Sequence, residues 1–266
     1  MDTELQYESP LDPAVAARHR WLAALVEVAG GERVVDLGCG DGATLAVLLG
    51  EPAGLVVGID TSAPALAQAA GRLGDGAPGK LALVHGDLDA PLPLTDRCVD
   101  KAICHNVLES LVDPGAFLRE TERVLRPGGR LVLSHPDYDT MVFTAPDLAL
   151  TRRLVHAYCD TQQDWMSAVN GTIGRWLHDI ADRSPLTVER TAAAAVLSRG
   201  FQAPMLGYMF AQHVAGVLRR AGGFTDAELD GWLASLAEVD QRGAFLWSVN
   251  DYAVVCRKPG VRARTA

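Results

Sequence analysis

The sequence predicts an α/β fold in which a mostly parallel sheet is covered by helices on both faces. Two observations predict it. Short apolar runs alternate with stretches of helical periodicity along the first half of the chain. These runs are apolar throughout, rather than at every second residue, as is typical of strands buried on both sides. A doubly wound sheet accounts for both observations.

The predicted elements follow one another regularly up to Ser134. A first helix spans 14–28, where Asp12-Pro13 supplies an N-cap and an N-terminal proline, and Gly30-Gly31 ends it. Five strands are predicted at 34–37, 55–60, 81–87, 99–104 and 130–134, and the helices between them at 43–49, 62–73 and 113–125.

The pattern changes after Ser134. Residues 136–172 show no strand signal, are rich in aromatic and acidic residues, and are expected to form a helical lid over a substrate. Later helices are predicted at 173–182, 214–221 and 225–236, and strands at 186–196 and 244–256. We therefore expect residues 1–266 to form a single domain, with residues 1–29 as an N-terminal helical cap.

The composition of the chain limits the binding partners and the cellular location that we expect for it. The formal net charge of −9 argues against a nucleic-acid substrate, because an acidic surface repels phosphate backbones. The five scattered cysteines contain no Cys-x-x-Cys pair, which indicates a reducing cytoplasm and no zinc site. No signal peptide or membrane-spanning run is visible, and no histidine spacing suggests a metal site. A monomer or a homodimer is expected.

A glycine-rich stretch, Val34-Val35-Asp36-Leu37-Gly38-Cys39-Gly40-Asp41-Gly42, links the first strand to a helix. Alternate glycines let a ligand approach the main chain, and a helix start offers free N–H groups. The spacing Gly38-x-Gly40-x-x-Ala43 also satisfies the dinucleotide-binding pattern. A NAD(P)-dependent oxidoreductase therefore remains open from the glycines alone.

Three acids at successive strand ends favour another ligand. Asp36 would repel a pyrophosphate but attract an ammonium group, Asp60 is placed to accept from ribose hydroxyls, and Asp87 is placed to accept from an adenine amino group. A ligand with a cation, a diol and an aminopurine, but no phosphate, matches S-adenosylmethionine. Each acid alone could equally be a helix N-cap or a turn former.

Residues 30–135 resemble the class I S-adenosylmethionine-dependent methyltransferases, particularly the ubiquinone/menaquinone-type subgroup, which acts on small molecules. The resemblance lies in the glycine-rich stretch, in Asp60 and in three later segments: Gly86-Asp87-Leu88, Val107-Leu108-Glu109 and Leu125-Arg126-Pro127-Gly128-Gly129-Arg130-Leu131. One departure is Glu109-Ser110-Leu111, where relatives often have Glu-His-Leu, so no role can be carried over from that histidine.

The resemblance implies a Rossmann-like sheet of seven strands, the last of them antiparallel, and methyl transfer to a small molecule of secondary metabolism, with S-adenosylhomocysteine as product. The expected cofactor-binding residues are Asp36, Gly38, Cys39, Gly40, Asp60, Thr61, Gly86, Asp87, Leu88 and His105. A non-catalytic relative that only binds the cofactor is not excluded by the sequence. Neither O-, N- nor C-methylation is favoured.

His105 and His135 follow the fourth and fifth strands, where ligands bind in open parallel sheets. Either is a candidate general base if the methyl acceptor is a hydroxyl or a protonated amine, and both could face one acceptor. Each could equally be a hydrogen-bonded wall of the site. Tyr138, Asp139 and Trp165 are candidate substrate-binding residues, with a solvated loop and core aromatics as the alternatives.

Overall fold

The structure, a computed structural model, describes residues 12–74, 79–167 and 171–260. Seven strands form one sheet in the order β3-β2-β1-β4-β5-β7-β6. Strands β1 to β5 are parallel to one another, whereas β7 runs antiparallel to both of its neighbours, β5 and β6. This topology confirms the predicted Rossmann-like fold with its last strand antiparallel.

The strands are β1 (Arg33–Leu37), β2 (Leu55–Asp60), β3 (Leu81–His85), β4 (Val99–His105), β5 (Leu125–Phe143), β6 (Thr187–Ser198) and β7 (Trp247–Arg257). The α-helices are α1 (Pro13–Val26), α2 (Ala43–Leu48), α3 (Ala63–Leu73), α4 (Pro114–Val124), α5 (Leu148–Asp160), α6 (Leu177–Asp182), α7 (Leu206–Ala221) and α8 (Asp226–Gln241). Two short 3-10 helices cover Leu108–Ser110 and Ile173–Trp176.

The parallel strands are buried on both faces because their alternate side chains enter two different cores. Val35 and Leu37 of β1 pack with Phe117 of α4 on one face. Val34 packs with Leu22 of α1 on the other. The uniformly apolar runs in the sequence reflect this double burial.

Strand β5 is much longer than the sequence suggests. It spans 19 residues, and its pairing with β7 continues to Phe143 opposite Trp247. The expectation that no strand follows Ser134 is therefore wrong for 136–143, and the segment 126–129, interpreted as a break, lies within β5 at a register shift. Proline and aspartate disfavour strands, but pairing with β7 outweighs that local preference.

Beyond the carboxyl ends of β1 to β4, the extended part of β5 and the start of β7 support a third core with α5, α7 and α8. Aromatic rings dominate it. Phe210 stacks on Trp247 with centroids 4.9 Å apart, and Phe143 meets Trp232 edge-on at 5.1 Å. This helical layer lies at the sheet edge where ligands of such folds bind.

Buried polar contacts fix α1 to the same region. Asp12 caps the helix by accepting from Ala14 N at 2.8 Å, and its other oxygen accepts from Ser198 Oγ at 2.7 Å and Leu206 N at 2.8 Å. Arg18 forms a two-bond ion pair with Asp251 of β7, at 2.7 and 3.2 Å. Of the N-terminal cap predicted over residues 1–29, the structure shows the helix α1, which begins at Pro13. Residues 1–11 lie outside the described residues.

The helices of the structure were compared with the length and apolar character of a membrane span. Within 12–74, 79–167 and 171–260, none of the helices has both the length and the apolar character needed to span a bilayer.

We predict that Arg18→Ala lowers the free energy of unfolding by about 3–5 kcal/mol, because it removes the guanidinium that faces the buried carboxylate of Asp251. The Asp251 side chain is 0% exposed and that of Arg18 is 4% exposed. Urea denaturation followed by circular dichroism measures the change.

The matched control for this prediction is Arg183→Ala. Arg183 pairs with Asp179 across one helical turn, with side chains 77% and 46% exposed. Its loss should cost about 0.5 kcal/mol or less, because exposed ion pairs are weak. Equal effects of the two substitutions would contradict a structural role for the buried pair.

Candidate active site

The glycine-rich turn between β1 and α2 is held against the neighbouring strand by main-chain hydrogen bonds. Gly38 N and Cys39 N both donate to Ile59 O, at 2.8 and 3.0 Å. Gly42 N then donates to Cys39 O at 2.9 Å. The turn is therefore a fixed part of the sheet edge, as a preorganised binding loop requires.

Two of its glycines are needed for different reasons. Gly38 has φ +81°, and a Cβ there would lie 2.3 Å from Val107 Cγ2. The close neighbour of Gly38 is thus the protein's own side chain, not a ligand as the sequence interpretation assumed. Gly40 has φ +51°, and a Cβ there would meet no atom within 4 Å. Gly40 therefore faces open space above the turn, where a ligand can reach the main chain.

Asp60, at the end of β2, connects this turn to the next helix. Its Oδ2 accepts from Gly40 N at 2.8 Å, and its Oδ1 accepts from Ser62 N at 2.8 Å. A carboxylate offers about four acceptor positions, so two main-chain bonds leave capacity for a ligand diol. Asp60 both shapes the turn and presents acceptors beside it.

The end of β3 completes this edge. Gly86 N donates to Asp60 O at 3.0 Å, and His85 Nε2 lies 2.9 Å from Thr61 O. Asp87 is exposed and its Oδ1 accepts from Asp89 N at 2.9 Å, while Leu88 is buried. The structure therefore brings the predicted residues of β2 and β3 together at one edge.

Asp36 places negative charge beneath the turn. It is 2% exposed. Burial raises the pKa of the thiols of Cys39 and Cys104, and the Asp36 charge raises both further. Both cysteines are therefore neutral thiols, so Cys39 contributes main chain and bulk rather than a nucleophile. The charge of Asp36 suits a cationic ligand group and disfavours a pyrophosphate.

These residues fit S-adenosylmethionine as a group. The turn offers open main chain at Gly40, Asp60 retains acceptor capacity for a diol, and Asp36 supplies charge for an ammonium. Among the described residues, no cluster of three or more His, Cys, Asp or Glu side chains could hold a metal ion.

The two candidate histidines do not face the same point. His105 is the register partner of Ser134, so strand alternation directs His135 to the opposite face of the sheet. The ring of His105 meets that of His19 of α1 edge-on at 5.9 Å. His19 Nδ1 in turn lies 2.9 Å from Thr44 Oγ1. The expectation that both histidines could face one acceptor is therefore not met.

His135 is completely buried in a polar cluster on the other face. Its Nδ1 lies 2.8 Å from the carbonyl oxygen of Pro136, and its Nε2 lies 3.2 Å from Glu109 Oε1. Burial alone would lower the pKa of His135, but the Glu109 charge and hydrogen bond, with smaller contributions from Pro136 and Asp251, outweigh it and raise that pKa above 6.5. His135 and Glu109 thus form a buried ion pair.

Glu109 is the functional candidate that sequence reasoning missed. It lies in the short 3-10 helix after β4 and is 1% exposed. No group of the described residues donates a hydrogen bond to its Oε2. Such a carboxylate is costly unless a ligand or reaction uses it. The available signal was an acid between apolar residues directly after a strand, Val107-Leu108-Glu109.

An aromatic cluster of β5, α5 and α7 contacts this pair through Tyr138. Tyr138 donates from its hydroxyl to Asn106 Oδ1 at 3.2 Å, and its ring lies 6.2, 6.0 and 5.5 Å from those of His135, Tyr158 and Phe210. Burial, followed by the charge of Glu109, raises the pKa of Tyr158. Tyr138 therefore lies beside the candidate catalytic pair.

The other two candidate substrate residues lie apart from this cluster. Arg175 binds Asp137 at 2.6 and 2.7 Å and Asp139 at 2.9 Å, so both acids are neutralised within the protein. Trp165 is 44% exposed. Ion pairing explains why an acid-rich segment here does not offer free negative charge to a substrate.

Comparisons with known proteins agree with the geometry. A family model described as a methyltransferase domain matches residues 29–205. The chain is 33% identical over 264 residues to an uncharacterised 37.1 kDa protein of transposon Tn4556 from Streptomyces fradiae, covering 96% of this chain and 71% of that one. It is 36% identical over 127 residues to a demethylmenaquinone methyltransferase from Corynebacterium kroppenstedtii, covering 48% of this chain and about half, 51%, of that one.

Solved structures share the fold. The crystal structure of a candidate methyltransferase from Bacillus halodurans has a TM-score of 0.61 at 17% identity, covering 91% of this chain and 99% of that one. A geranyl diphosphate C-methyltransferase from Streptomyces coelicolor, crystallised with S-adenosylhomocysteine, has a TM-score of 0.51 at 14% identity, covering 91% and 80%. Family match, fold and binding edge together show that the chain belongs to the class I S-adenosylmethionine-dependent methyltransferases.

Proposed function

We propose that this methyltransferase acts on a small-molecule acceptor bound between the ends of β4 and β5 and the helical layer. The observation that carries the proposal is the Glu109 carboxylate, which is 1% exposed and has an oxygen to which no described residue donates a hydrogen bond. A buried acceptor of this kind, surrounded by aromatic rings, is suited to an enclosed small ligand with a polar reacting group.

On the cofactor side, we propose the contacts predicted from the sequence. Main chain at Gly38, Cys39, Gly40 and His105 would hold the amino-acid part beside Asp36. Asp60 and Thr61 would bind the ribose, and Gly86, Asp87 and Leu88 the adenine. When bound, S-adenosylmethionine supplies a methyl group already activated by the sulfonium. The chain's own task is to align the acceptor with that methyl group and to exclude water.

On the acceptor side, the sequence predicts a helical lid over residues 136–172, but residues 136–143 belong to β5. We therefore propose that the lid consists of α5 and the segment that follows it. Ser167 N donates to Glu109 O at 2.8 Å, which fixes the segment over the polar pair. Residues 168–170 of the predicted lid lie outside the described residues. Tyr138 is retained as a proposed substrate contact, with Asp139 and Trp165 at the rim.

Secondary metabolism remains our proposal for the acceptor's origin, by analogy with the ubiquinone/menaquinone-type subgroup. A relative named for demethylmenaquinone supports a small-molecule acceptor. The net charge of −9 argues against nucleic acid. All five cysteines are free thiols, which supports a reducing cytoplasm. Neither a nicotinamide cofactor nor a merely structural use of S-adenosylmethionine is favoured by the site, and a monomer or homodimer is expected.

The experiment follows a labelled methyl group. Purified protein is incubated with S-[methyl-14C]adenosylmethionine and a bacterial extract divided into low-molecular-weight, protein and nucleic-acid fractions. We expect the label in the low-molecular-weight fraction. Label confined to protein or nucleic acid would overturn the small-molecule acceptor, and calorimetry that shows micromolar NADH binding but no S-adenosylhomocysteine binding would overturn the cofactor site.

We predict that Asp60→Ala weakens S-adenosylhomocysteine binding at least about tenfold, because a hydrogen bond to a charged group contributes about 1.5–3 kcal/mol. Isothermal titration calorimetry measures the dissociation constant. Asp96→Ala removes an acid that is 73% exposed and pairs with Arg123, so it should leave binding unchanged. An unchanged dissociation constant in Asp60→Ala would remove Asp60 from the site.

Substitutions at the two glycines should separate packing from binding. Both residues have positive φ, so alanine strains each by about 1–2 kcal/mol. Gly38→Ala adds a clash with Val107 and should lower the melting temperature more than Gly40→Ala does. Gly40→Ala should keep most of the stability yet weaken S-adenosylhomocysteine binding. Thermal unfolding and calorimetry measure both quantities, and binding unaltered in Gly40→Ala would contradict a ligand above this residue.

A further inference from the structure

The hydrogen-bond arrangement at His135 decides which member of the buried pair can accept a proton. The carbonyl oxygen of Pro136 can only accept, so Nδ1 of His135, 2.8 Å away, carries a hydrogen. Nε2 faces a carboxylate oxygen at 3.2 Å, an arrangement that favours a second hydrogen there. With hydrogens on both nitrogens, the imidazolium has no lone pair left to act as a base.

Glu109 has what His135 lacks. Its Oε1 faces His135, while its Oε2 receives no hydrogen bond from the described residues. The side chain is fully enclosed by protein, in a place where water does not weaken electrostatic interactions. A carboxylate in such a place, with an oxygen that receives no hydrogen bond, is suited to accept a proton.

We propose that Glu109, rather than His135, receives the proton of the methyl acceptor, and that His135 is a positioning residue that holds the Glu109 carboxylate in place. This inference rests on the proposed function. As the acceptor's lone pair forms its bond to the methyl carbon, the carbon–sulfur bond breaks with its electrons on sulfur. For a hydroxyl or phenol, the O–H bond breaks and its proton moves to Glu109 Oε2 as the methyl bond forms. For an ammonium group, the N–H bond breaks first, its proton moves to Oε2, and its electrons become the lone pair that attacks the methyl carbon.

The arrangement also selects the acceptor's chemical class. A hydroxyl, a phenol or an ammonium group can donate to Oε2, whereas a carboxylate or phosphate at the reacting position would be repelled by it. The rings of Tyr138, Tyr158 and Phe210 suit an apolar or aromatic body next to that group. We therefore infer an alcohol, phenol or amine acceptor, methylated on oxygen or nitrogen.

Other charged groups near the pair are accounted for within the protein. Asp251 of β7 raises the pKa of His135 slightly, but it is itself paired with Arg18 of α1. Asp137, two residues along β5, is paired with Arg175. Tyr158 of α5 keeps its hydroxyl proton, and burial lowers the pKa of His213 of α7 to about 4, so that side chain is neutral. Glu109 is thus the principal charge acting on His135.

The first test uses Glu109→Gln and measures the effect of Glu109 on the pKa of His135. Removing the Glu109 charge leaves burial as the largest influence, so the pKa of His135 should change from above 6.5 to below it. NMR titration of labelled histidine side chains measures this change without any acceptor. A His135 pKa that is the same in both proteins would overturn the pair.

The second test measures transfer of labelled methyl into the low-molecular-weight fraction. Glu109→Gln should lower the maximal rate by about 10²–10⁴-fold, the range for loss of a general base. Glu109→Asp should keep part of the rate because it retains a carboxylate. Glu238→Gln, an exposed acid of α8, should behave as wild type. Unchanged S-adenosylhomocysteine binding shows that each variant is folded.

The pH profile separates the two roles. If Glu109 accepts the proton, His135→Asn should retain measurable activity, whereas Glu109→Gln should be impaired at every pH. If His135 is the base instead, His135→Asn should be inactive at every pH and Glu109→Gln should retain activity at alkaline pH. Wild-type protein that transfers no label at all would overturn the proposed function, while the NMR titration still decides the ion pair.

Discussion

The antiparallel pairing of β5 with β7 beyond the edge of the parallel sheet is the constraint on which the rest of the site depends. Without it, the chain after Ser134 would leave the sheet, as it does after β1, β2 and β4. Pairing as far as Phe143 and Trp247 instead extends the sheet past the other strand ends. His135 and Tyr138 lie on this extension, and the rings at its far end anchor α7 and α8. One strand pair thus supports both the polar cluster and the helical layer above it.

The helical layer buries acidic side chains of β5 and β7. The ion pairs that these acids form attach other elements to the two strands. Arg18 with Asp251 attaches the first helix to the last strand, and Arg175 with Asp137 attaches the second 3-10 helix to β5. Buried ion pairs contribute little net stability, but losing one partner is costly, so they specify an arrangement more than they strengthen it. Glu109 differs from these acids because its Oε1 lies 3.2 Å from His135 Nε2 as an ion-pair contact, while no described residue donates a hydrogen bond to its Oε2.

The cofactor edge could be predicted from the sequence because its determinants are local. A turn with positive φ needs glycine, and a strand end followed by an acid can be recognised within a few residues, as at Gly40 and Asp60. The extension of β5 could not be predicted in this way. Its signal lies in β7, more than 100 residues later, and Pro136 and Asp137 locally favour a turn.

The same distinction applies to the acceptor side. His135 and Tyr138 were identified by their position after a strand, but Glu109 was overlooked because its partner lies 26 residues away on another strand. Asp139 is a candidate substrate contact by its position after the fifth predicted strand, but Arg175 of the second 3-10 helix, 36 residues later, pairs with it. Charge is visible in a sequence, but its neutralisation depends on tertiary contacts.

The cofactor edge and the proposed acceptor side of the site therefore depend on different parts of the structure. The cofactor edge consists largely of main chain held by main-chain hydrogen bonds and by the Asp60 carboxylate. In our proposal, the acceptor side consists of side chains on β5, α5 and α7, outside the parallel strands that carry the cofactor edge. A family that keeps one methyl donor while accepting varied substrates requires this separation. In this chain, Glu109 lies where the halves meet, since its 3-10 helix directly follows β4 and its carboxylate faces the acceptor side.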